Sequence, residues 1–481
     1  MINLRVILNI LGLLLLIEGF SMIAPLGVSL YHGGGDAIAL GISSGISIAL
    51  GAIAWFLTQR GDKTISKREG YIIVSIVWIV FSLFGALPFI ISGYIPSFTN
   101  AFFETISGFT TTGASILNDI ESLPHGLLFW RSMTQWLGGM GIIVLSLAIL
   151  PIFGIGGMQL FVAEVPGPTP DKFHPRVKET AKRLWGIYLI FTLLETILLL
   201  FGDMNLFEAV CHSFTTMATG GYSTKQASIA AYSPYVQYII TLFMFLAGTN
   251  FALSYYGFHL QFNKIFRNEE FRFYAGFLIG FTILITAMLW FGDFLPFRES
   301  FRHAVFQVVS ITTTTGFITT DYLQWAPFLV VIVFMLMFLG GSGGSTGGGV
   351  KIVRVALLIK NSALELKRLI HRNAILPVRL NKKTIDPQII TNILAFVVLY
   401  MMLLAGSTIV MSAMGYDLAS SLGAVAATLG NIGPGIGAVG PVENYAHIPD
   451  FGKWFLSFLM LVGRLELFTV LILFSPAFWK T

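Results

Sequence analysis

A tetrapeptide of small residues ending in glycine occurs four times, always between apolar segments. Thr110-Thr111-Thr112-Gly113, Ala218-Thr219-Gly220-Gly221, Thr313-Thr314-Thr315-Gly316 and Gly430-Asn431-Ile432-Gly433 stand roughly one hundred residues apart. Such peptides are poor helix formers. At membrane depth they would leave carbonyls unpaired unless those carbonyls lined a wet path. Four of them around one axis would make a ring of oxygens able to replace the water shell of a cation. The fourth copy departs from the pattern, with Asn431 and Ile432 where hydroxyl residues stand elsewhere, so the ring is not four-fold symmetric.

The membrane setting follows from composition: 55% of the chain is hydrophobic and 11% charged, which excludes a string of soluble domains. The single cysteine, Cys211, excludes a disulfide framework. The apolar opening is too long for a signal peptide and reads as a retained helix. Two spans are expected before the first repeat, at Val6 to Leu30 and Ile38 to Leu57. The pattern then becomes span, half-helix, loop, span, four times. Second spans are expected at Leu127 to Ile149, Tyr235 to Phe258, Pro327 to Ile359 (broken) and Phe451 to Phe474. The expected architecture is an all-α integral membrane protein: two extra N-terminal helices (1–68), then pore units at 69–163, 164–265, 266–378 and 379–481 around one central pore.

Loop charge orients this threading. Lys and Arg gather between the units, at Arg60, Lys63, Lys67 and Arg68, at Lys172 to Arg183, at Lys264 to Arg272, and at Lys360 to Lys383. The positive-inside rule makes these loops, and both termini, cytoplasmic. The opposite loops lean acidic, with Asp119, Glu121, Asp203, Asp293, Asp321, Glu443 and Asp450, diluted by Lys225 and Arg298.

A second glycine cluster, Gly340-Gly341-Ser342-Gly343-Gly344-Ser345-Thr346-Gly347-Gly348-Gly349, falls midway along the third unit's last span. At about 1 kcal/mol per glycine against alanine, a helix there is disfavoured, and the run is expected to line a wet cavity, held by little packing. It is no phosphate cradle, since Val350 separates Lys351 from the last glycine and no hydroxyl residue follows the lysine. Arg464, inside the last span, is a functional candidate because burying it is costly; Glu466 projects elsewhere on a helix and is not its expected partner. Glu104 and Glu208 are read as equivalent positions on the first two half-helices, supporting the loops through hydrogen bonds. Gly435 to Gly440 fits GxGxxG without the strand and helix that motif needs. Cys211 and His212 lack companions for catalysis or metal binding, and no enzyme motif appears.

The four loops in order, the glycine run and the ending LVGRLELFTV around Arg464 resemble the TrkH branch of the Trk/Ktr/HKT superfamily of potassium transporters, over nearly the whole chain. The resemblance implies potassium uptake across a bacterial inner membrane, with K+ as transported ion and no bound organic cofactor or nucleic acid. It implies a filter from the four tetrapeptides, a gate from Gly340, Gly341, Gly343, Gly344, Gly347, Gly348 and Gly349, and Arg464 near the pore below the filter. It also implies a homodimer bound to a cytosolic TrkA-like nucleotide-binding ring. A proton- or sodium-coupled symporter and a membrane scaffold without transport remain as alternatives.

Overall fold

The computed structural model describes residues 2–59, 66–141, 177–292, 295–371 and 373–480. The end of the first unit's second span, the boundary at 163, and Arg60, Lys63, Lys172, Arg176, Asp293 and Arg372 lie outside these residues. Among the described residues six helices are long and apolar enough to cross a membrane, or eight if two bent pairs are counted as spans. The N-terminal pair (Leu4–Ser21 with Ile23–His32, and Ala37–Thr58) packs closely on itself. Gly12 and Gly51 allow this, because a Cβ on Gly51 would sit 2.9 Å from the Gly12 carbonyl.

Each later unit contributes a short helix at the expected place: Phe98–Phe109, Leu206–Met217, Phe297–Thr312 and Leu418–Leu429. At 1.5 Å per residue these are about 18 to 24 Å long, short of the ~30 Å hydrocarbon core. Caps fix three of their starts: Ser97 and Asn205 accept from the amides of Asn100 and Glu208, and Asp417 from those of Ala419 and Ser420. Each helix ends where its tetrapeptide begins.

The second spans of units one, two and four were expected to be continuous, and they are not. The helix His125–Trp136 runs into a π-turn, Leu137–Gly141, in which Gly139 leaves helical geometry. Pro234–Ala247 meets Phe251–Phe258 at 110°, and Asp450–Arg464 meets Phe468–Phe474 at 112°. In unit three Pro327–Leu336 and Ile352–Ile370 flank the glycine run. The breaks occur because glycines pass under the short helices: a Cβ on Gly138 would lie 1.9 Å from the Phe109 carbonyl, and one on Gly463 would lie 2.1 Å from that of Leu429. The basic stretch 361–386 between units three and four is part helix, ending at Ile370, and part a minimal antiparallel pair, Arg379–Leu380 with Lys383–Thr384.

Candidate functional site: a ring of four loops and the glycine run beneath it

The four tetrapeptides share one backbone. The second residue of each, Thr111, Thr219, Thr314 and Asn431, has φ between +53° and +60°, and the fourth, Gly113, Gly221, Gly316 and Gly433, has φ between +76° and +95°. Asparagine tolerates this region; a β-branched threonine there is strained. The second residue's amide donates three residues back, at 2.9 to 3.2 Å, and the third residue's five back, at 2.8 to 2.9 Å. These bonds close a Schellman-type end on each short helix. Successive amides thus point into the helix end, and alternating handedness turns the carbonyls to the opposite side. The helix carboxyl ends add partial negative charge at the same place.

The loops meet one another in cyclic order. A Cβ on Gly113 would lie 2.1 Å from the Gly220 carbonyl, one on Gly221 2.0 Å from that of Thr315, and one on Gly316 1.9 Å from that of Ile432. One on Gly433 would lie 2.7 Å from the Thr112 carbonyl, which closes the ring. All four glycines line one partly open funnel, whose wall also carries Ser115, Arg131, Ser223 and Tyr445. Thr110, Thr111, Thr112, Ala218, Thr219, Thr313, Thr314, Thr315, Asn431 and Ile432 are fully buried, while Gly430 carries its carbonyl against Gly348. The structure therefore brings the four loops together.

Beneath the ring lies the glycine run. Gly348 donates its amide to the Thr314 hydroxyl at 2.6 Å, and a Cβ on Gly347 would lie 2.8 Å from the Thr313 carbonyl. The expectation of little packing does not hold. Thr346 donates to the Met217 carbonyl at 3.0 Å, Gly343 donates to Glu270 at 2.6 Å, and the Gly248 carbonyl accepts from Ser342 at 2.8 Å. The buried Lys351 ammonium donates to the Gly347 carbonyl at 2.5 Å. Gly340 bridges Lys351, Ile352 donates to the Gly341 carbonyl, and Gly344 and Gly349 take positive φ. Arg464 donates to the Thr346 carbonyl at 2.8 Å and to that of Gly138 at 2.9 Å, so it ties the run to the first unit's break. As expected, Glu466 faces elsewhere and pairs with Arg354.

Glu104 and Glu208 are not equivalent. Counted back from the loops, Glu104 matches His212, each six residues before the first loop residue. The Glu104 carboxylate takes Arg131 at 2.7 Å, the Ile116 amide at 2.9 Å and the Ser115 hydroxyl. His212 reaches the Ser223 hydroxyl at 3.0 Å, the place that corresponds to Ser115. Glu208 instead closes a capping box and lies 3.8 Å from Lys225. Lys225 also pairs with Glu121 at 3.4 Å, which offsets the acidic lean of the mouth. Cys211 is buried and free, and Gly435 lines up behind the ring, its carbonyl accepting from Tyr322 at 2.7 Å.

Sequence reading missed Arg131, Gln135 and the helix breaks. A second repeat signals the breaks: Leu137-Gly138-Gly139, Leu246-Ala247-Gly248, Leu339-Gly340-Gly341 and Leu461-Val462-Gly463.

A family model described as TrkH, cation transport protein, matches residues 38–481. The chain belongs to the TrkH family. It is 42% identical over 481 residues to the Trk system potassium uptake protein TrkH of Salmonella typhimurium and 41% to that of Escherichia coli, with 99% of each chain covered. The crystal structure of the potassium transporter TrkH from Vibrio parahaemolyticus superposes with a TM-score of 0.89 at 37% identity, covering all of both chains. The TrkH family is one of transporters, so this chain is not an enzyme. It is a multi-pass membrane protein.

Proposed function

We propose that the chain takes potassium into the cell through the ring of four loops, the glycine run acting as its gate. The ring closure carries this reading: four backbones of one conformation, each terminal glycine seated on the next loop's carbonyl, present oxygens to one axis. K+ is the transported ion in this reading, as the names of the relatives state for them. The funnel faces the periplasm of a bacterial inner membrane, both termini lie in the cytoplasm, and the basic inter-unit loops receive a TrkA-like nucleotide-binding ring on a homodimer. The gate reading rests on the bond from Gly348 to Thr314, which puts the run directly under the ring.

The test is potassium and sodium uptake into proteoliposomes, normalised to folded protein. Gly113→Ser and Gly316→Ser should lose potassium-over-sodium preference or conduction while still inserting. Parental ratios in both would sink the filter.

A proton-coupled version of the same pore draws on one observation. Glu18 and Glu195 are wholly buried and have no basic partner among the described residues, and membrane-buried carboxyls are candidate proton carriers. Coupling predicts that an imposed proton gradient drives potassium uptake and that Glu195→Gln abolishes the drive. Potassium flux indifferent to the gradient excludes it.

A further inference from the structure

The four loops do not brace their third positions alike. In loop one the Thr110 and Thr112 hydroxyls pair at 2.8 Å, and in loop three Thr313 and Thr315 do the same at 2.8 Å. Loop two has Ala218 and Gly220 at these places and cannot form such a pair. Its brace comes from the preceding unit. Gln135, on the helix His125–Trp136, donates through Nε2 to the Gly220 carbonyl at 2.7 Å and accepts through Oε1 from the Tyr222 amide at 3.1 Å. The carboxamide straddles Gly221. It is fully buried, and a donor at one end and an acceptor at the other fix which way round it lies.

Gly220 is glycine because Gln135 occupies the space of its side chain: a Cβ there would lie 2.3 Å from the Gln135 Cδ. The Gly220 carbonyl is also the one on which Gly113 sits, at the seam between loops one and two. Loop four, diagonal to loop two in the ring, is likewise tied by a carboxamide. Asn431 Nδ2 donates to the Thr112 hydroxyl and the Met460 carbonyl, both at 2.9 Å. The ring thus alternates hydroxyl-paired loops with carboxamide-tied ones.

We propose that Gln135 is a positioning residue that sets potassium-over-sodium selectivity by holding the Gly220 carbonyl at its place in the ring; this rests on the filter reading above. A carbonyl oxygen has two acceptor directions. Gln135 takes one, and in the filter reading the other is left to the ion. Whether a filter discriminates by diameter or by the field strength of its carbonyls, losing this donor changes both at one quarter of the ring. Gln135 touches no ion itself.

The experiment measures the potassium-to-sodium uptake ratio of the full-length protein in proteoliposomes, per folded molecule. Gln135→Leu, similar in length and unable to hydrogen-bond, should lower the ratio at least fivefold. Gln135→Glu, assayed at a pH where the new carboxyl is ionised, keeps the acceptor for Tyr222 and loses the donor to Gly220, and should lower it as well. The triple variant Gln135→Ala, Ala218→Thr, Gly220→Thr gives loop two the hydroxyl pair of loops one and three, and should recover most of the ratio. A purely structural glutamine would change folded yield and leave the ratio alone. Parental ratios in Gln135→Leu and Gln135→Glu, beside an altered one in Gly316→Ser, overturn the role of Gln135; should the leucine variant not fold, the glutamate variant decides. A folded triple variant that stays unselective overturns the equivalence of the two braces. An unchanged ratio in Gly316→Ser as well removes the filter reading, and this proposal with it.

Discussion

The ring and the glycine run are both irregular backbone inside an otherwise helical protein, yet they are held by different means. In the ring the order is chiefly steric: alternating backbone handedness and glycines seated on neighbouring carbonyls confine each loop, and hydroxyl pairs or carboxamides brace it. In the run, side chains from elsewhere supply much of the order. Lys351, Glu270, Arg464 and Thr314 each hold one or two backbone groups of the run. A conformation set by sterics has no second arrangement nearby. One set by a handful of hydrogen bonds can be exchanged for another at a cost of a few kcal/mol. The proposed reading of a rigid filter over a movable gate would require such a contrast.

The same kind of substitution should therefore act with opposite sign in the two regions. Gly221→Ala puts a Cβ 2.0 Å from the Thr315 carbonyl at a φ of +76°. Potassium flux should fall at least tenfold, and tracer uptake normalised to folded protein checks this. A near-parental flux would show the ring to be compliant and remove the contrast.

Arg464 tests the run from the charge side. It holds the Thr346 carbonyl and places a positive charge beneath the ring. A like charge at 4 Å costs a cation about 4 kcal/mol at an effective dielectric of 20. A quarter of that corresponds to about fivefold in barrier crossing. Arg464→Gln should raise partner-free flux by about that factor, while Arg464→Lys keeps the charge and should stay low. Equal currents in the two remove the electrostatic role and leave Arg464 as a tie between the run and the first unit's break, through the Thr346 and Gly138 carbonyls.

The smallest expected change is in Gly344→Ala. Gly344 has a φ of +77°, but a Cβ there would meet only the Asn250 side chain, at 3.3 Å. The strain of about 1 kcal/mol should loosen the run and raise basal flux up to fivefold, with selectivity unchanged. A fall in flux, as at Gly221, would mean that both regions are held sterically.

Much of this was legible in the chain. The four tetrapeptides, the half-helices before them and the glycine run lie where hydrophobic periodicity and glycine content put them, because both signals are local. Equivalence between units was harder. Glu104 and Glu208 look alike as the carboxylates of the first two half-helices, yet Glu104 is the seventh residue of its helix and Glu208 the third; geometry aligns Glu104 with His212, because the units are registered at the loops. The helix breaks escaped notice because Gly139, Gly248 and Gly463 sit in segments apolar enough to pass as continuous spans.

By itself the sequence determined that this is a membrane protein of four repeated units, since an apolar chain must satisfy its backbone in helices and can tolerate Thr-Gly loops only around a wet path. Only the tertiary structure decided how the loops are braced. The bonds from Gln135 to Gly220, Asn431 to Thr112 and Arg464 to Thr346 join residues 85, 319 and 118 positions apart. No pattern in the chain announces such pairs. They exist because the four units close on one another and bring distant polar groups into a core where each must find a partner.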